Sequence, residues 1–106
     1  MGDCIFCKII FGEIPSVKIF ENDKIIAFND INPKAKVHIL IVPKKHIESV
    51  KHLQAIDKEL VGELILSAQQ IAKEKNLEGY KLLFNVGREG GQLVDHLHLH
   101  LLSPEW

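Results

Sequence analysis

The chain is poor in the features that mark special classes of protein. Only two cysteines occur in 106 residues, both within Cys4-Ile5-Phe6-Cys7, which is no disulfide framework of a small secreted domain. An excess of charge of one sign is also missing. Thirteen basic and 14 acidic side chains leave a formal net charge of −1, so nothing points to bulk attraction to nucleic acid or a membrane surface. Long hydrophobic runs are absent: the longest, Val37 to Val42, is interrupted by His38 and is far too short to span a bilayer. The opening "MGDCIFCKIIFGEI" has no basic region before an apolar run and no small-residue cleavage site, so no signal peptide is expected. Gly2 does not read as a myristoylation site, because Phe6 stands where that motif wants Ser or Thr. No repeat, linker or low-complexity segment is present. What remains is an ordinary globular mixture, 46% hydrophobic and 25% charged, sufficient for one core. The expectation is one domain over residues 1–106, cytoplasmic, without nucleic-acid or membrane partners.

The order of elements follows from periodicity and turn chemistry. Residues 4–15 allow a short helix before Gly12 and Pro15 stop it. Residues 16–30 read as a hairpin, with strands near Val17–Glu21 and Ile25–Asn29 flanking a turn at Asn22-Asp23. A loop at 31–36 leads to a third strand, 37–43, ended by Pro43. Leu60, Val61, Leu64, Ile65, Ala68, Ile71 and Ala72 recur at helical spacing, which predicts a helix over 57–75. A fourth strand at 80–86 and a mobile glycine turn at 87–92 precede a fifth strand. The class is therefore α+β: a five-stranded antiparallel sheet, one long helix on one face and a short N-terminal helix.

The fifth strand carries the chemistry. In "DHLHLHLL", residues 95–102, period-two alternation puts His96, His98 and His100 on one face and Leu97, Leu99 and Leu101 on the other. The leucines face the core under the long helix, and the histidine face is the one that helix leaves open. Two chemistries could use such a row. One is metal coordination, since His-x-His can present two nitrogens to one ion. The other is nucleophilic attack on phosphorus by a neutral imidazole, whose second nitrogen must donate to something fixed. His38 points the same way as Leu40 and Val42 and is either a core histidine or a site residue. Asn85 offers an amide or begins a turn. "GREGGQ" offers backbone donors suited to phosphate oxygens, and equally the glycines any hairpin needs. For Cys4 and Cys7 the readings are two buried small hydrophobes, a redox pair without the expected βαβ surroundings, or half of a four-ligand zinc site. His52, Lys44 and Lys45 read as solvated surface.

His96-Leu97-His98-Leu99-His100-Leu101-Leu102 resembles the signature of the histidine triad (HIT) family. "GEIP" (12–15), "AFNDINPKAKVHILIVPKKHI" (27–47) and "GGQLVDHLHLHLL" (90–102) are similar to its Hint branch, the purine nucleoside phosphoramidases. The resemblance covers nearly all of the chain. It implies that His98 attacks the α-phosphorus of a nucleoside 5′-phosphoramidate, that a nucleotidyl-histidine forms, and that water releases the mononucleotide. It makes His38 a proton relay to the leaving amine. His100 and Gln92 become phosphate-side contacts, with Asn85 and the backbone near Gly91 beside them. Asp30 would hold the ribose hydroxyls, and Ile31 would line the pocket of a purine base. The resemblance further implies a homodimer joining two five-stranded sheets, and a structural Zn2+ held by Cys4, Cys7, His46 and His96. The alternatives are a dinucleoside polyphosphate hydrolase or nucleotidyl transferase of the same superfamily, and a zinc-stabilised nucleotide-binding or interaction module.

This chain departs from the pattern in three places. Leu93 stands where eukaryotic members carry a phosphate-contacting serine, so only its backbone remains for that contact. Asp95 is an unusual acid directly before the triad and, by alternation, should turn away from the phosphate. The chain ends at "SPEW", without the longer eukaryotic tail, and Trp106 has no assigned role.

Overall fold

Residues 4–103 are described by a computed structural model; the readings of Gly2 and Trp106 fall outside them. Helix α1 spans Ile5–Ile10, and strands β1 and β2 span Lys18–Glu21 and Ile25–Asn29. They are followed by β3 (Val37–Pro43), helix α2 (Lys58–Glu74), β4 (Lys81–Leu83) and β5 (Leu99–Ser103). The sheet order is β1-β2-β3-β5-β4, with every neighbouring pair antiparallel. No helix among the described residues is long and apolar enough to cross a membrane.

Parity along the strands divides the core into two layers. Odd-numbered residues Ile25, Ala27, Ile39, Ile41, Leu97, Leu99 and Leu101 pack against Leu64, Ala68, Ile71 and Ala72 of α2. Replacing Leu64 by Ala would remove a wholly buried side chain and cost about 2–5 kcal/mol. Even-numbered Ile26, Phe28, Leu40 and Val42 pack instead against Phe6 and Ile9 of α1. The face opposite α2 is therefore not open, contrary to the expectation from the sequence. Helix α1 covers it, and His96, His98 and His100 are only 0%, 7% and 8% exposed.

Local chemistry explains most boundaries. The Cys4 sulfur accepts the Cys7 N–H at 3.2 Å and caps α1. Asn22 Oδ1 accepts the N–H groups of Lys24 and Ile25 at 2.9 and 2.8 Å, an Asx turn that sets the β1–β2 hairpin. Asn76, at φ 56°, turns the chain out of α2. The histidine strand starts later than its alternation predicts, at Leu99. The β3–β5 register pairs Ile41 with Leu99, which brings Leu97 opposite Pro43, a residue with no N–H for the ladder. The Leu97 N–H bonds to the Ile47 carbonyl instead, at 2.6 Å. The expected β4 is also shorter, so Asn85 lies beyond its end. Two 3-10 turns, Val50–His52 and Ala55–Asp57, fill a stretch that carries no periodic signal. Lys44 and Lys45 are not merely solvated: each holds a carboxylate, Glu21 at 2.8 Å and Asp57 at 2.6 Å.

Candidate active site and metal centre

The even-numbered face brings five of the six histidines into two adjoining groups. His38, His98 and His100 form one; His46 and His96 form the other with the two cysteines.

In the first group the hydrogen bonds fix where each proton sits. The Lys34 backbone N–H donates to His38 Nδ1 at 3.0 Å, so neutral His38 carries its proton on Nε2. That N–H faces His100 Nδ1 at 2.9 Å, with Asp30 Oδ2 3.4 Å away. His100, accepting on Nδ1, carries its own proton on Nε2, which lies 3.4 Å from the Asn85 side-chain amide. An amide turned to present its oxygen there completes the chain. His98 Nδ1–H donates to the His96 carbonyl at 2.6 Å. Its Nε2 is left with a lone pair and no hydrogen-bond partner among the described residues. The ring is held by the edge-on Phe6 ring at 5.1 Å and by His100 at 4.8 Å.

Burial keeps these rings neutral. It pushes His98 below the ordinary imidazole value, against the opposing pull of the His96 carbonyl and Asp30. His38 is lowered by burial first, with Asp30 opposing and Lys34 and His98 reinforcing. His100 is pushed down to about 4, by burial first and then by His98 and His38. At neutral pH each ring can therefore accept on one nitrogen and donate on the other. Asp30, His38 and His100 also bring ligand atoms within 4.8 Å of one another. The proton on His38 Nε2 makes this group a hydrogen-bonded relay.

The second group is organised differently. His96 Nε2–H donates to the Pro43 carbonyl at 2.8 Å, leaving Nδ1 as a lone pair. That nitrogen lies 3.1 Å from His46 Nδ1, 3.3 Å from Cys4 Sγ and 3.5 Å from Cys7 Sγ. Cys7 Sγ is 3.3 Å from His46 Nδ1. The four donor atoms all lie within 4.8 Å of one another and could hold a metal ion. Burial and Cys4 push the Cys7 thiol up to about 11, and burial pushes His96 down to about 4.

The remaining expected residues lie after β2 and in the segment before the histidines. Asp30 lies at the end of β2, its Oδ1 accepting the Asn32 N–H at 2.9 Å. Ile31 and Leu93 stand in solvent, 88% and 78% exposed. The glycine turn winds into a 3-10 turn at Arg88–Gly90. The N–H groups of Gly90, Gly91 and Gln92 all bond to carbonyls inside it. Gln92 faces inward, accepting the Gly87 N–H at 2.9 Å and donating to the Glu48 and Val94 carbonyls at 2.6 and 2.9 Å. Among the described residues the Leu93 N–H has no partner.

Sequence reasoning missed Lys34, Phe6 and Arg88. Lys34 acts through its backbone and left no signal. Phe6 could have been found, since it sits between the two cysteines and must follow them to the histidine face.

Comparison with known proteins identifies the family. The family model described as "Scavenger mRNA decapping enzyme C-term binding" matches residues 3–106. Protein HitA of Neisseria gonorrhoeae is 43% identical over 104 residues, 97% of each chain. Among solved structures, a HIT family hydrolase from Legionella pneumophila Philadelphia 1 is 45% identical, with a TM-score of 0.95 over 98% of this chain and 95% of that one. A histidine triad protein from Clostridium difficile gives 45% identity and a TM-score of 0.95, over 100% and 94%. A histidine triad nucleotide-binding protein from Candida albicans gives 36% and 0.85, over 98% and 82%. End-to-end matches at this identity, on a chain carrying His96, His98 and His100 in alternation, make it a member of the histidine triad family.

Proposed function

We propose that this protein is a nucleotide hydrolase that cleaves the P–N bond of purine nucleoside 5′-phosphoramidates. The observation that carries the reading is His98: its Nδ1 proton is committed to the His96 carbonyl, so Nε2 is an oriented, unprotonated nucleophile. In the proposed reaction Nε2 attacks the α-phosphorus and the P–N bond to the amine breaks. The leaving amine takes a proton that His38 relays from solvent, and the attack of water in the second step returns one to solvent. Water then attacks the nucleotidyl-His98, giving the mononucleotide and restoring the imidazole. His100 and Asn85 bind the phosphate oxygens, aided by the free N–H of Leu93 where the side chain offers no hydroxyl. Asp30 holds the ribose diol, and the exposed Ile31 is an apolar wall for the base. The names of the Legionella and Candida relatives, a hydrolase and a nucleotide-binding protein, support this class.

For the second group we propose a structural zinc. Bonds of about 2.3 Å to sulfur and about 2.0–2.1 Å to nitrogen give tetrahedron edges of about 3.3–3.8 Å. The donor separations quoted above, 3.1–3.5 Å, are close to these. Zinc supplies a four-ligand tie there and no open position for substrate. The Pro43 carbonyl fixes His96 in the tautomer a ligand needs. A reducing cytoplasm keeps both thiols available. We also propose a homodimer, in which β4, an edge strand, and the exposed Leu66 and Leu82 meet their counterparts.

Hydrolysis of adenosine 5′-phosphoramidate tests the reaction. Wild type should release AMP and ammonia, and His98→Ala should not. Faster cleavage of a dinucleoside polyphosphate would favour the superfamily alternative. Tight AMP binding with no turnover of either would leave a binding module.

A further inference from the structure

The turn between β4 and the histidine segment holds three glycines in residues 87–91. Gly87 and Gly91 adopt φ of 72° and 90°, which other residues reach only under strain. Such a turn loses more freedom on ordering than any other composition would. Its position nevertheless matters, because it packs beside the phosphate side of the site. A side-chain carbon at Gly91 would stand 3.8 Å from Cγ and Oδ1 of Asn85, and Asn85 is the partner of His100.

Two devices restrain the turn. Gln92 ties it from inside, to the Glu48 carbonyl on a separate segment. Arg88 ties it from outside. Its Nη1 donates to the Gln92 carbonyl at 2.7 Å and to Asp95 Oδ1 at 2.8 Å, and its Nη2 donates to Asp95 Oδ2 at 3.0 Å. The guanidinium thus spans the far end of the turn and the residue before the triad with one planar fork, which a lysine ammonium cannot reproduce.

We propose that Arg88 and Asp95 are positioning residues, whose two-pronged ion pair closes the glycine turn and sets Asn85 and the Leu93 N–H against the phosphate. This rests on reading the site as one that binds a nucleotide phosphate. Both side chains are well exposed, so the pair adds little to global stability. The two-pronged geometry and the shared Gln92 carbonyl are what make its local effect large. Asp95, unexplained by the sequence, acquires a role: its carboxylate holds the cation that closes the loop.

The test uses the full chain with Asp95→Asn, Arg88→Lys and the exchanged pair Arg88→Asp with Asp95→Arg. Amide hydrogen exchange at Gly90 and Gly91 in the ligand-free protein should accelerate about tenfold in either single variant, with Tm within about 2 °C of wild type. AMP binding should weaken about five- to tenfold, and adenosine binding, which lacks the phosphate, should not change. The exchanged pair should recover part of both effects. Unaltered turn exchange in Asp95→Asn overturns the clasp, as does an equal loss of AMP and adenosine binding. If wild type binds neither ligand, the reading of the site fails, while the exchange data still decide the clasp.

Discussion

His96 and His98 stand two residues apart on one face, and they keep their protons on opposite nitrogens. His96 gives its Nε2 proton to the Pro43 carbonyl and turns Nδ1 toward two sulfurs and a second imidazole. His98 gives its Nδ1 proton to the His96 carbonyl and keeps Nε2 free. On the proposed reading the same side chain serves as a metal ligand in one place and a nucleophile in the other, because a different main-chain oxygen claims the proton. The groups differ in the same way as wholes. In the group of His96, two sulfurs and two imidazole nitrogens converge, a donor set suited to a cation. At the phosphate side, Lys34 N–H, His38, His100 and Asn85 alternate donor and acceptor, which suits a proton relay.

The sharpest way to break this comparison is to remove each histidine's side chain in turn. His98→Ala should lower kcat by about ten-thousand-fold or more, as loss of a nucleophile does, with zinc content nearly unchanged. His96→Ala should do the reverse. Zinc is lost, yet the main-chain carbonyl that orients His98 survives the substitution, so activity should fall far less than in His98→Ala. Equal losses of turnover in the two variants would mean that the two positions are not separate in function.

Next in size is the relay. His38→Gln should slow turnover about ten- to a hundredfold, with the larger loss on substrates whose leaving amine is most basic. A loss independent of the leaving amine would remove His38 from proton delivery. Cys7→Ser should abolish stoichiometric zinc and lower Tm by several degrees, because α1 is too short to persist without an anchor. Turnover should stay within about tenfold of wild type.

The pH dependence is the mildest effect. The relay works with His38 and His100 neutral, and the groups facing them are Asp30, Lys34 and His98. Because burial lowers both, kcat/KM should persist as pH falls through 6.5, the ordinary imidazole value, and decline only below it. Stability follows the same sign. An unfolded His100 binds its proton near 6.5 and the folded one near 4, so this contribution is whole above 6.5. It is lost progressively as pH falls to about 4, on the order of 3 kcal/mol in full. A His100→Asn variant, measured by urea unfolding between pH 7 and 4, should lose less stability over that range than wild type does.

The sequence carried the architecture well because each layer has its own period. Leu97, Leu99 and Leu101 opposite the histidines, and the spacing of Leu64, Ala68 and Ile71, fix which faces meet. The residues Cys4, Cys7, His46 and His96 do converge, as the family resemblance implied. What stayed hidden depends on main-chain atoms. Pro43 ends the ladder opposite Leu97 and delays β5, and the Lys34 N–H selects the His38 tautomer; neither has a side-chain pattern to read. The cover of α1 over the histidines was missed because a six-residue helix declares too little periodicity to assign its partner face. The Arg88–Asp95 pair had a signal, opposite charges bracketing a glycine turn, but alternation predicted only where Asp95 does not point.

The account turns on the division between these two imidazoles, and one measurement reaches it directly. Wild-type protein turning over adenosine 5′-phosphoramidate is quenched in alkaline denaturant, which preserves a phosphorus–nitrogen bond to histidine, and the adduct is located by peptide mass spectrometry. The account predicts an adenylyl group on His98, with His96 and His100 unmodified. An adduct on either of those residues, or turnover with none on His98 under conditions that trap the intermediate, would contradict it.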